Sequence, residues 1–320
     1  MIFQKKLSIK DIMTIKEKGW SCNRFRLFFR EAMALICRKM SNCNLLCYSR
    51  IGSMMKEKTR GEIGMEDNIR TEVINAIIDG QSDYAGELIE AHKPEYLYKY
   101  RSGKEYDFDT LEKKSVWISR ATVMDDDEDG RLYVSDEFKR LFEIAKKENP
   151  KFNNTKYDRA VYGISDESKE KVFISSFSEL SNDKDMWERY ANKNTGFCLE
   201  YKFDDVASVK GYPALKCWPI SYEKKEPLGV QELLNKNNSV FSTLYKKNIV
   251  GNLGEKWIEQ REWRWSCFED RLGELDTENG KNIEVPIPTR ILIGKNMPDD
   301  KLKKMKNIAS NLKIELVYMK

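Results

Sequence analysis

The chain has 320 residues, 40% hydrophobic and 34% charged, with 56 Lys and Arg against 52 Asp and Glu, a net charge of +4. That length can bury a sizeable core in one or two domains, Gly and Pro are too few for a low-complexity chain, and no apolar run approaches the roughly 18 residues of a membrane span. A single histidine, His92, excludes most His-based catalysis and metal binding.

The charge is uneven. Met1–Arg60 carries 14 basic and 4 acidic side chains, a net of +10, which leaves 42 and 48, a net of −6, for the remaining 260 residues. The acidic balance of the body gives no general electrostatic reason to bind nucleic acid. In the first segment Arg24, Arg26, Arg30, Arg38 and Lys39 interleave with Phe25, Leu27, Phe28, Phe29 and Met33. Residues 1–64 are therefore expected to form a basic extension, poorly ordered or amphipathic-helical, able to touch an acidic partner or an anionic membrane surface. Residues 65–320 are expected to form a single domain. Arg30, Glu31 and Arg38 break the apolar stretch that a secretory signal needs. Cys22, Cys37, Cys43 and Cys47 lack the tight pairing of a zinc site. Cys198, Cys217 and Cys267 read as buried thiols of a reducing compartment, so a cytoplasmic location is expected.

Along the body, Asn68 opens a helix whose inner face is Ile69, Val73, Ile74, Ile77 and Ile78. Ser82 or Asp83 opens a second helix after Gly80. The period then changes to two: Tyr96–Arg101 is an aromatic, alternating strand. A short helix near Phe108–Lys114 and a strand at Val116–Ser119 follow. Ser135 or Asp136 opens a helix with Phe138, Leu141, Phe142 and Ile144 inward. Val172–Phe177 is a strand, and Asn182 or Asp183 begins a helix that Gly196 closes as its C-terminal cap. Strands at Phe197–Phe203 and Leu215–Tyr222, a helix around Val230–Asn248 and a strand at Trp263–Phe268 come next. The chain ends with a strand (Arg290–Ile293), a helix from Pro298 and a strand at Leu316–Tyr318. Strands outnumber crossover helices, which predicts α+β: a mixed, mostly antiparallel sheet core with flanking helices.

Two clusters carry candidate chemistry. Asp125, Asp127 and Asp129 with Gly130 and Leu132 fit the start of a calcium-loop pattern, and Asp136 falls at its twelfth position, so calcium or magnesium is a candidate ligand there. A solvated acidic loop is the plainer alternative. Glu262 and Arg264 lie two apart on a strand, where they share a face and can pair with each other. Trp187, Trp257, Trp263 and Trp265 read as core or pocket wall.

Tyr98-Lys99-Tyr100-Arg101, Ile174–Glu179 with Met186-Trp187 and Tyr190-Ala191, Trp257 with Gln260-Arg261-Glu262-Trp263-Arg264, and the closing strand–helix–strand from Ile293 form four blocks. Together they resemble the bacterial family known as domain of unknown function 2971, from about Tyr96 onward. Arg189 stands where that family usually has His, and Met124-Asp125-Asp126 where it usually has an Asn-Asp-Pro turn. The order Arg101, Ser175-Ser176, Gln260-Arg261-Glu262 also resembles the Arg, Ser-x-Ser and Gln/Glu-x-Glu elements of ADP-ribosyltransferases, on three separate strands. That resemblance implies NAD as cosubstrate and a protein or nucleic-acid acceptor. It implies Glu262 as the carboxylate that steadies an oxocarbenium-like ribose, and Gln260 as the residue that orients the acceptor. Arg101 would hold the pyrophosphate or ribose, Ser175 and Ser176 would support the nicotinamide side, and Tyr98 or Tyr190 would stack. A binding or regulatory module that kept the fold without the reaction is the alternative.

Overall fold

The computed structural model describes residues 64–124, 169–222 and 255–319, together with 135–137, 139, 140 and 143. By its internal contacts the chain divides into two units, and the sheet belongs to the one formed by Gly64–Leu132, Ser165–Glu226 and Tyr245–Lys320. The helix expected around Val230–Asn248 lies outside the described residues. In the short piece after Ser135, Lys139 N–H donates to the Ser135 carbonyl, as a helix opening there requires.

Helix α1 (Asp67–Ile78) and helix α2 (Ser82–His92) meet at Gly80, whose φ of 79° suits glycine. The α1 face that recurs every third and fourth residue is inward, with Val73, Ile74 and Ile77 buried. Asn68 is not the cap: α1 begins a residue earlier and makes no side-chain cap bond. Strand β1 (Tyr96–Arg101), helix α3 (Glu105–Glu112) and strand β2 (Ser115–Arg120) follow. Strand β3 (Val172–Ser178) leads to helix α4 (Lys184–Arg189), capped by the Asp183 carboxylate on Met186 N–H. Next come β4 (Phe197–Lys202), the one-turn helix α5 (Phe203–Ala207), β5 (Ser208–Val209) and β6 (Tyr212–Pro219). A 3₁₀ turn (Glu255–Gln260) precedes β7 (Glu262–Phe268), and β8 (Gly280–Glu284), β9 (Arg290–Ile293), helix α6 (Asp299–Leu312) and β10 (Glu315–Tyr318) complete the order.

Gly196 does not cap α4. The left-handed residues there are Asn192, Lys193 and Asn194, and glycine at 196 answers a different need. A Cβ on Gly196 would stand 2.0 Å from the Arg101 carbonyl oxygen, so β4 enters the sheet only because that side chain is missing.

Among the described residues ten strands form one sheet, in the order β10-β9-β4-β1-β3-β7-β6-β5, with β2 and β8 branching from β3. The β9–β10 pair is parallel and joined across α6; the other pairs are antiparallel. The branch splits the pairing of β3. Along one edge β3 is paired throughout with β7, from Val172↔Phe268 to Ser178↔Glu262. Its other edge is shared. Strand β1 touches it only at Tyr98↔Ser178, and β2 only at Ser119↔Ile174 and Arg120↔Phe173. Between these points the sheet is forked, and Ser175–Phe177 border the opening.

The register also assigns faces, because residues directly opposite in a ladder share one. Tyr98, Ser178 and Glu262 lie on one face, with Ser176 and Arg264. Lys99, Arg101, Ser175 and Phe177 lie on the other, with Trp263 and Trp265. The second face is the main core. Trp263 and Trp265 are fully buried there, and Phe203 of α5 meets Trp263 edge-on with ring centres 4.9 Å apart. Phe108 of α3 packs on Phe197 at 5.3 Å. On the first face α4 lays Trp187 against Tyr100, 5.3 Å apart and nearly perpendicular. Cys198, Cys217 and Cys267 are buried free thiols, and burial pushes the Cys267 thiol up to about 12. No helix among the described residues is long and apolar enough to cross a membrane.

Candidate functional site

The fork opens into a cleft of about 330 Å³. Its lining includes Tyr98 and Arg101 from β1, Ser175 and Ser176 from β3, Tyr190 after α4, and Gln260 and Glu262 around the start of β7. Every organic-site residue singled out from the sequence thus borders one space. Trp117, Trp257, Lys99 and Arg264 border it too.

Arg261 explains how Gln260 and Glu262 come to the same space. Its φ is 47°, a left-handed backbone uncommon for a side-chain-bearing residue. The strain is held by its own guanidinium: Nε donates to Glu179 at 3.2 Å, Nη1 to Asp67 at 3.2 Å, and Nη2 to the Met65 carbonyl. Glu179 is the hub. It also accepts Trp263 Nε1 at 2.7 Å and pairs with fully buried Arg70, which in turn donates to the Glu262 carbonyl at 2.7 Å. Two guanidiniums around one buried carboxylate therefore pin α1 to the start of β7. With Arg261 turned outward, Gln260 Nε2 donates to the Tyr190 hydroxyl at 3.0 Å, and Ser178 Oγ donates to the Gln260 carbonyl at 2.7 Å.

Glu262 is buried and its carboxylate is already engaged, with Arg264 Nε donating to it at 2.7 Å. The pairing expected from their spacing is present. Arg101 arrives from the opposite face of the sheet. Its Nη1 lies 3.9 Å from an Asp107 oxygen, too long for a good hydrogen bond, while its Nε and Nη2 are buried with no partner. The other oxygen of Asp107, Oδ2, accepts from Ser102 Oγ and Lys104 N–H at the start of α3.

Lys99 escaped the sequence reading. A lysine in an aromatic strand reads as its solvated side, and nothing local says that β1 leaves β3 one residue after Tyr98. Here Lys99 Nζ spans the fork. It donates to Ser175 Oγ at 2.9 Å and to the Ser176 carbonyl at 2.6 Å, and sits 5.1 Å from the centre of the Phe177 ring. Desolvation, then the neighbouring Arg101 charge, lower its pKa well below the ordinary lysine value. Ser175 Oγ in turn donates a hydrogen bond to the Trp117 carbonyl at 2.9 Å, which ties β2 to the same corner.

Tyr98 forms the wall toward a second charged cluster. Its hydroxyl donates to Glu200 at 3.2 Å, and Glu200 also accepts Thr289 Oγ1 at 2.7 Å and both the Nε and Nη2 edge of Arg290. Burial opposes ionisation of Glu200, but the Arg290 and Thr289 hydrogen bonds outweigh it and hold the carboxyl below its usual value. Burial and the Glu200 charge push the Tyr98 phenol up to about 12. Arg189 stacks over Trp257, a residue of the cleft wall, at 5.6 Å.

Asp125, Asp127 and Asp129 lie outside the described residues. Asp136 is exposed and pairs with Lys139 at 3.1 Å. Among the described residues no group of three or more His, Cys, Asp and Glu is arranged to hold a metal ion. His92 ends α2 on the surface.

Comparison of the chain with protein-family models, curated proteins and solved structures returns no match.

Proposed function

We propose that the forked-sheet cleft binds NAD and that the protein is an ADP-ribosyltransferase-like enzyme of the bacterial family it resembles, acting on a protein or nucleic-acid acceptor. The observation that carries this reading is the meeting of Arg101, Ser175, Ser176, Gln260 and Glu262 around one cleft from three separate strands. The donor set suits the molecule: aromatic walls at Tyr98, Tyr190 and Trp257 for flat rings, and a guanidinium with an unused edge for a phosphate. Bound NAD would supply a nicotinamide–ribose bond whose cleavage leaves positive charge on the sugar. Glu262 is the carboxylate available to face that charge, and Arg264 Nε fixes its orientation so that no reorganisation is needed. Gln260, tethered to Tyr190, sits beside it to orient an acceptor.

A second reading has its own observation. The carboxylate of Glu262 is largely neutralised by Arg264, which favours a pocket that binds a nucleotide without turning it over. Nicotinamide release separates the two. Wild type should release nicotinamide from NAD above background, and Glu262→Gln, which keeps an acceptor for Arg264, should abolish release while melting within a few degrees of wild type. Background release from both proteins, with NAD still bound, leaves the binding module; no NAD binding ends both readings. Calcium at Asp125, Asp127, Asp129 and Asp136 is a separate proposal supported by spacing alone. A melting temperature identical in calcium and in chelator ends it.

A further inference from the structure

We propose that Lys99 and Arg101 together form a binding site for a phosphate-type dianion, so that the ligand of the cleft is a phosphorylated small molecule gripped from β1 by two cations. The proposal shares its cleft with the NAD reading but does not need nicotinamide chemistry.

Three observations carry it. First, the two partnerless nitrogens of Arg101, Nε and Nη2, are the parallel side-on edge of the guanidinium, the edge that takes two oxygens at once. The same edge of Arg290 in this chain holds both oxygens of Glu200. A buried donor edge without an acceptor is costly, and its persistence needs a reason. Second, Lys99 brings another basic group on the same face of the same strand, and its Nζ is met by a hydroxyl, a carbonyl and a ring rather than by a carboxylate. Third, among the described residues the acid paired with Arg101 is Asp107, whose Oδ1 stands 3.9 Å from Nη1, so the Nε–Nη2 edge stays open to an incoming anion. A desolvated guanidinium edge without an acceptor and a desolvated lysine without a carboxylate at its nitrogen are costs that a bound anion would relieve. A carboxylate has only the two oxygens that one arginine edge can span, as Arg290 spans those of Glu200. An arginine fork plus a lysine point charge matches a group with at least three oxygens and two charges.

The test is calorimetric titration of the full chain with inorganic pyrophosphate and with inorganic phosphate, at constant ionic strength in chloride. Binding to wild type is expected, with a loss of about 10- to 100-fold in Lys99→Met and in Arg101→Lys, the latter keeping the charge but losing the fork. Lys304→Met, at an exposed lysine paired with Glu105, is expected to bind as wild type does. Without ligand, Lys99→Met is expected to melt above wild type. No binding beyond chloride, equal affinity in both variants, or a Lys99→Met chain that melts below wild type would each overturn the site. Lys99-dependent pyrophosphate binding without nicotinamide release keeps this site and removes the transferase. Nicotinamide release with pyrophosphate affinity unchanged in both variants does the reverse.

Discussion

Arg290 and Arg101 occupy the same sheet and meet opposite circumstances. Strand β4 lies between them, pairing with β9 at Glu200↔Arg290 and with β1 at Arg101↔Phe197. At Arg290 the planar edge is filled by Glu200, Thr289 supports the same carboxylate, and the charges close on themselves. At Arg101 the equivalent edge is empty, a second basic group lies on the same face, and the Asp107 carboxylate stands 3.9 Å from the other nitrogen, Nη1. A closed cluster stabilises the fold; an open one is a place where something else completes the arrangement. The fork in the sheet sets the contrast, because β1 can offer Lys99 and Arg101 to a cleft only where it has left β3.

The largest expected effect comes from closing the gap between the two regions sterically. Gly196→Ala would press a methyl group onto the Arg101 carbonyl. We expect a loss of about 3 kcal/mol in urea unfolding, because backbone rather than a flexible side chain must give way, together with weakened pyrophosphate binding. An alanine variant that unfolds as wild type does would mean that β1 and β4 are less tightly apposed than the geometry requires.

Arg290→Ala breaks the closed cluster instead. It leaves Glu200, 1% exposed, with only Thr289 and Tyr98 as partners. Since Arg290 is itself 43% exposed in its side chain, solvent screening discounts the loss to about 2 kcal/mol. The pH dependence sharpens the point. The folded-state pKa of Glu200 is depressed, so its contribution is present above the ordinary carboxylate value and lost as pH falls through the folded one. Wild type should therefore lose more stability than Arg290→Ala between about pH 6 and about pH 3. Parallel stability–pH curves would show that the cluster does not bias Glu200. At the open region the sign is reversed: Lys99→Met removes a desolvated amine with no carboxylate at its nitrogen and should stabilise the free chain by about 1–2 kcal/mol.

The contrast was only partly legible in the sequence. Local patterns were readable because their cause is local. The alternation of Tyr96–Arg101 made β1, the run from Val172 made β3, and Asp183 capped α4 at the expected place. Glu262 and Arg264 paired because two residues along a strand share a face. Strand β8 was not assigned: Gly280, Lys281 and Asn282 carry no strand pattern, and only pairing with β2 makes them a strand. The grip of Arg290 on Glu200 crosses 90 residues, and that of Arg70 on Glu179 crosses 109. No spacing rule reaches so far. The fork has the same origin. Whether Lys99 faces water or a cleft depends on which residue of β3 last pairs with β1, and a single strand carries no record of its partner's register.

Tyr98 belongs to both regions, and the smallest effect tests whether they are coupled. Its ring lines the cleft while its hydroxyl donates to Glu200. Tyr98→Phe keeps the wall and removes one hydrogen bond, at a cost of about 1 kcal/mol. If the regions are independent, pyrophosphate affinity stays as in wild type. The phenol supplies a further check. Burial and then the Glu200 charge raise it from 10.0 to about 12. The neutral phenol thus stabilises the fold below its ordinary value, and that contribution is lost as pH rises through the folded one. Between about pH 10 and pH 12, wild type should lose more stability than Tyr98→Phe. Equal losses would place that hydroxyl in water and open the closed cluster to solvent, removing the difference between Arg290 and Arg101 at its most sensitive point.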